Sequence, residues 1–139
     1  MVTKVLIDTN IILDMVDNER KCYESSNVLV QKLFESGTDL YINSDTLTNT
    51  FYILKNRKKV TYSEALHAIR KVAILCDVIA IDSNMVFDTL DLCENENKPF
   101  KDYEDALQYV CAKKIGAELI VTNDKGFVSP DIKVQHTNN

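Results

Sequence analysis

The residues of this sequence best equipped for chemistry are aspartates. Asp8 interrupts the apolar run of VLIDTNIILDM (residues 5–15), Asp102 and Asp105 open DYEDALQYV, and Asp124 closes VTND. An unpaired carboxylate inside an apolar run costs several kcal/mol or takes up a proton, so Asp8 must cap, pair with or hold something. Three or four carboxylates gathered in one apolar-walled pocket repel each other, and a divalent cation removes that repulsion. Oxygen ligands without His or Cys select Mg²⁺ or Mn²⁺ over Zn²⁺. Such an ion keeps positions open for water and phosphate oxygens, which is the arrangement for metal-assisted phosphodiester hydrolysis. Each acid also has a plainer reading. Asp8 and Asp102 suit N-caps, Asp105 a first turn favoured by the helix dipole, and Asp124 a turn.

The elements around these acids decide between the two readings. TKVLID (3–8) is too short for a helix and reads as a buried strand, with Thr9 and Asn10 opening a short helix through IILDMVDN. Residues 21–36 carry Val28, Leu29 and Leu33 at helical spacing, and Gly37 supplies the stop. DLYIN (39–43) is a second strand, and Ser44 or Asp45 is placed to cap the helix through TLTNTFYILKN. Thr61 and Glu64 form a capping box for the helix over 61–76. DVIAI (77–81) is a third strand, Ser83 is placed to cap the helix SNMVFDTLDLCEN, and Pro99 breaks the chain. A strong helix over 102–116 ends at Gly116, ELIVT (118–122) is a fourth strand, and DIKVQ (131–135) a fifth. Solid apolar strands alternating with helices predict a three-layer α/β/α sandwich around a central parallel sheet of four to five strands. Ligands of such sheets sit beyond the carboxyl ends of the strands, where the strand order reverses. Asp8 and Asp124 follow the first and fourth strands, so they meet there if those strands are neighbours.

The bulk properties narrow the class. The chain has 139 residues, which predicts one domain over 1–139. It shows neither a signal-like N-terminus nor the roughly 18 apolar residues of a membrane span, so the expectation is a cytoplasmic protein without a membrane. Four cysteines, Cys22, Cys76, Cys93 and Cys111, lie far apart, read as reduced and mostly buried, and argue against zinc. A net charge of −5 excludes grip on nucleic acid by bulk charge alone, though not an acidic nuclease site neutralised by metal. The run Lys55, Asn56, Arg57, Lys58, Lys59 is the one dense positive patch. It suits a solvated helix end as well as a phosphate-binding strip. Tyr52 and Tyr103 offer base stacking or plain packing, and neither His67 nor His136 is placed like a general base.

IDTNIILDMV near the start and DYEDALQYVCAKKIGAELIVTND near the end resemble the PIN-domain family, the fold of the VapC-type toxin ribonucleases. The resemblance covers nearly the whole chain. It implies an RNA-cleaving enzyme with Mg²⁺ or Mn²⁺, leaving 5′-phosphate and 3′-hydroxyl ends. It also implies an antitoxin partner and a homodimer. The family's motif places the metal carboxylates at Asp8, Asp105 and Asp124, polar supports at Asn10 and Thr122, and the extra acid ahead of the helix at Asp102. One position departs. Where the family usually has a glutamate in the helix after the second strand, this chain has Asn49, an amide that brings no charge. Asp45, one turn earlier, is a minor substitute.

Two further classes stay open on the residues. With Asn49 in place of the acid, the chain could be a catalytically weak or inactive module that binds RNA or protein. An aspartate-based phosphoryl-transfer domain is the other. Haloacid-dehalogenase-like phosphatases want Asp-x-Asp after the first strand and this chain has Asp8-Thr9-Asn10; response-regulator receivers want an aspartate ending the third strand, where only Asp82 is available.

Overall fold

The computed structural model describes residues 2–97 and 100–138. Its elements are β1 (Lys4–Ile7), α1 (Thr9–Val16), α2 (Tyr23–Glu35), β2 (Asp39–Asn43), α3 (Ser44–Lys55), α4 (Tyr62–Leu75), β3 (Asp77–Ile79), α5 (Ser83–Glu94), α6 (Tyr103–Ile115), β4 (Leu119–Val121) and β5 (Lys133–Gln135). Pro99 lies outside the described residues.

The five strands form one parallel sheet in the order β3-β2-β1-β4-β5. The chain builds outward from β1 to β2 and β3, then returns to add β4 on the other side. The order therefore reverses between β1 and β4, which pair with Ile7 beside Val121.

Side chains alternate along each strand, so β1 feeds two cores. Val5 and Ile7 pack with Ile11, Ile12, Val30, Leu40, Ile42 and Val72 on the face covered by α1, α2 and α4. Leu6 and Ile120 pack with Leu107, Cys111, Met85 and Phe127 under α5 and α6. Both faces of β1 are closed, which is why its sequence is unbroken Val-Leu-Ile rather than alternating.

The helix starts differ from the sequence expectation at two places. Asn43, not Ser44 or Asp45, caps α3, and its side chain accepts from Thr46 N at 2.9 Å. Asp82, not Ser83, caps α5 by accepting from Met85 N. In both, a residue still in extended backbone reaches the third amide of the helix. Thr61 and Glu64 form the predicted capping box, and Gly116 ends α6 at a left-handed φ of 70°. β3 stops at Ile79, two residues early. Cys76 and Cys111 are buried, while Cys22 and Cys93 are half-exposed; all four are free thiols. Among the described residues no helix is long and apolar enough to cross a membrane.

Candidate active site

Asp8 sits where β1 hands over to α1. It caps that helix in extended backbone, its own N–H donating to Val121 O of β4 at 2.9 Å. It is only 4% exposed, and both carboxylate oxygens are engaged. Oδ1 accepts from Thr9 N (2.8 Å) and Gln108 Nε2 (3.0 Å). Oδ2 accepts from Thr122 Oγ1 (2.7 Å) and Asn10 Nδ2 (3.4 Å). Burial pushes its carboxyl above the ordinary range, and these donors offset part of the rise.

Gln108 is fully buried on α6 and continues this chain. Its Oε1 accepts from Asn43 Nδ2 at 2.9 Å, and Asn43 is the cap of α3. A run of polar contacts, Asn43–Gln108–Asp8–Thr122, thus ties β2, α6, β1 and β4 together beneath the switch point.

Asp124 follows β4 in a tight turn. Its N–H donates to Thr122 Oγ1 (3.1 Å) and its Oδ1 accepts from Gly126 N (2.9 Å). A Cβ at Gly126 would stand 3.3 Å from that oxygen, so glycine lets the turn close on the carboxylate. Asp105 lies in the first turn of α6, after the cap Asp102, whose Oδ1 accepts from Asp105 N. The Asp105 and Asp124 carboxyls line the same cavity. Burial first, then Asp124 and the charges of Asp8 and Asp102, push the Asp105 carboxyl from 3.8 up to about 8.

These residues wall one cavity of about 620 Å³: Asp8, Asn10, Asn49, Asp102, Glu104, Asp105 and Asp124, with Thr9, Leu13, Tyr52 and Ile53. Five carboxylates face it, and none of its lining residues is Lys or Arg. Thr122 is buried behind Asp8. Neither Asp45 nor Tyr103 lines this cavity. The basic run stands apart. Arg57, Lys58 and Lys59 line a different cavity of about 870 Å³ with His67, and no residue belongs to both. Arg57 is paired with Asp17 and Glu19, and Lys59 lies 3.6 Å from Glu19; Lys55 lines neither cavity. A third cavity, about 310 Å³, shares Asn10 and Asp124 with the acidic one and carries Arg20 and Lys21.

The donor chemistry fits a hard divalent cation. All the donors are oxygens, and burial and acidic neighbours both push the Asp105 carboxyl towards its protonated form, a pressure that a bound cation relieves. Among the described residues no three acids yet stand close enough together to share one ion. Asp8 spends its oxygens on protein donors.

Sequence reasoning missed Gln108, Asn43, Glu104 and Asn123. Asn123 is a hub beside Asp124. Its N–H donates to Asn10 Oδ1 (3.2 Å) and its amide to Asp14 Oδ2 (3.2 Å) and Thr137 Oγ1 (2.6 Å), while its Oδ1 accepts from Thr137 N (2.7 Å) and Asn138 N (3.3 Å). His136 Nδ1 meets Thr122 O. The available signal was polar residues in apolar surroundings, as with Gln108 between Leu107 and Val110.

The family model described as PIN domain matches residues 4–126. Ribonuclease VapC1 of Aquifex aeolicus (strain VF5) is 39% identical over 134 residues, covering 96% of this chain and 90% of that protein. VapBC2 from Rickettsia felis, solved bound to a DNA fragment from its promoter, superposes with a TM-score of 0.73 at 18% identity, over 96% of this chain and 98% of that one. Mycobacterium tuberculosis VapC20, a Sarcin-Ricin loop cleaving toxin, gives 0.66 at 12% identity over 84% and 86%.

Proposed function

The chain belongs to the PIN-domain family, and from that premise we propose that it is a Mg²⁺- or Mn²⁺-dependent endoribonuclease, the toxin half of a toxin–antitoxin pair. The observation that carries this is the cavity of five carboxylates with no basic side chain at the reversal of strand order. A phosphodiester is repelled from such a cavity unless a cation enters with it.

Asp8, Asp105 and Asp124 would hold the ion, with Asp102 at the rim. When bound, the ion lowers the pKa of its water and neutralises charge on the phosphate. The protein's own part is positioning. Thr122, Asn10 and Gln108 fix the Asp8 carboxylate. Gly126 N fixes Asp124. Asn49 offers its amide oxygen to orient the attacking water, and Tyr52 a ring for a base. Asp105 would hold the ion as its carboxylate. Phosphates of the flanking RNA lie against Lys55, Arg57, Lys58 and Lys59, or against Arg20 and Lys21 beside Asp124.

The relatives support the partners in this reading. One is a ribonuclease and another a VapBC assembly on promoter DNA. The VapBC assembly supports an antitoxin partner; a second copy of the chain is proposed from the family resemblance alone, and light scattering of the purified protein reads it.

The direct test is cleavage of RNA with Mn²⁺ by the wild-type protein and Asp8→Asn. Wild type cleaves and the variant falls to background. Equal cleavage by the two overturns the proposal, and tight RNA binding without turnover in any divalent metal favours a non-catalytic module instead.

A further inference from the structure

Asn49 leaves a charge unaccounted for. It lines the acidic cavity from α3 and brings no negative charge to it. The same cavity holds a carboxylate given no role so far, Glu104 on α6.

The position of Glu104 follows from helix geometry. Glu104 and Gln108 are four residues apart and share one stripe of α6. Asp105, one residue on, is turned by roughly 100° about the helix axis and lines the cavity with Asp124. Gln108 places Nε2 on Asp8 Oδ1 and lies 3.4 Å from Thr9 Oγ1. Glu104, one turn nearer the helix start, lines the same cavity as Asp8, Thr9 and Asp102. It therefore shares one cavity with the carboxylate that caps α1 and with Asn49 of α3.

A structural duty for Glu104 is hard to find. The cap of α6 is already made by Asp102. Among the described residues Glu104 forms no ion pair. It adds a fifth carboxyl group to a cavity that already crowds four, which weakens the fold unless a cation is to be held there.

Building on the nuclease reading above, we infer that Glu104 supplies from α6 the carboxylate charge that Asn49 fails to supply from α3, and so completes the cation-holding set of the cavity. The RNA-cleaving site is then intact in charge although its usual glutamate position is neutral.

A charge-swap series tests this with wild type, Glu104→Gln, Asn49→Glu, the double variant Asn49→Glu/Glu104→Gln, and Asp8→Asn. Free Mn²⁺ read by electron paramagnetic resonance gives the dissociation constant without RNA. Cleavage is measured in parallel, and thermal melts confirm folding. Glu104→Gln weakens Mn²⁺ binding by about 10- to 100-fold and slows cleavage, and adding Asn49→Glu restores most of both. Unchanged Mn²⁺ affinity in Glu104→Gln overturns the inference. So does a loss that Asn49→Glu leaves unrepaired, because a merely structural residue is not rescued by a charge on another helix. Asp8→Asn separates the two levels. If it abolishes cleavage while Glu104→Gln leaves Mn²⁺ affinity unchanged, only the role of Glu104 falls; if it too leaves Mn²⁺ binding and cleavage intact, the nuclease reading falls.

Discussion

Gln108 has no exposed surface, yet it sets how Asp8 is presented, because its amide accepts from Asn43 and donates to Asp8. Replacing it by Leu keeps the volume and strands a buried amide and one bond of a buried carboxylate. The expected cost is about 1–3 kcal/mol, read as a lower melting temperature together with lost cleavage. Asp105 makes a second prediction at this scale. Its carboxyl is raised from 3.8 to about 8 in the folded protein. Between those values the folded state binds a proton the unfolded chain has lost, so stability falls as pH rises. The contribution is complete below about pH 4 and gone above about pH 8. Metal-free melts from pH 5 to 8 should decline, Asp105→Asn should flatten that slope, and Mn²⁺ should raise the melting temperature more at pH 8 than at pH 5. A slope unchanged in Asp105→Asn would place the cause elsewhere.

At the scale of elements, the site is made of junctions. Asp8 ends β1 and starts α1, Asn43 ends β2 and starts α3, and Asp102 starts α6. Each is a helix cap first, which is why its side chain is fixed before any ligand arrives. Asn43→Ala removes a cap worth about 1 kcal/mol and also frees Gln108, so cleavage should fall further than the melting temperature alone explains. Gly126→Ala pushes a methyl to 3.3 Å from Asp124 Oδ1; the melt should barely move while Mn²⁺ affinity weakens. The strands, the parallel pattern and the capping box at Thr61 were legible because apolar runs and cap spacing are local signals. Asn43 and Asp82 were misjudged because each looks like the last residue of a strand, and its capping bond depends on where that strand stops.

Across the whole molecule, strand order is what brings Asp8, Asp105 and Asp124 into one cavity although they lie up to 116 positions apart. The acids were legible from their types and from the reversal expected after β1. Gln108, Glu104 and Asn123 were not, because their meaning lies in partners such as Asp8 and Thr137 that no local window contains. The net charge of −5 means RNA needs a local basic surface. Arg57 and Lys59 are already engaged by Asp17 and Glu19, whereas Lys21 is exposed in a cavity that shares Asn10 and Asp124 with the acidic one. With the inactive Asp8→Asn protein as background, Lys21→Ala should weaken single-stranded RNA binding and lower its salt slope by about 0.7. Lys58→Ala should do less, and the reverse ranking would put the strand along the α3 end. The chain beyond β5 is buttoned to Asn123 through Thr137 and Asn138, immediately beside Asp124. Whatever tugs on that terminus tugs on the loop that carries Asp124, so an affinity handle for purification belongs ahead of β1, and a cleavage assay on protein tagged at the other end should read lower than one on protein tagged ahead of β1.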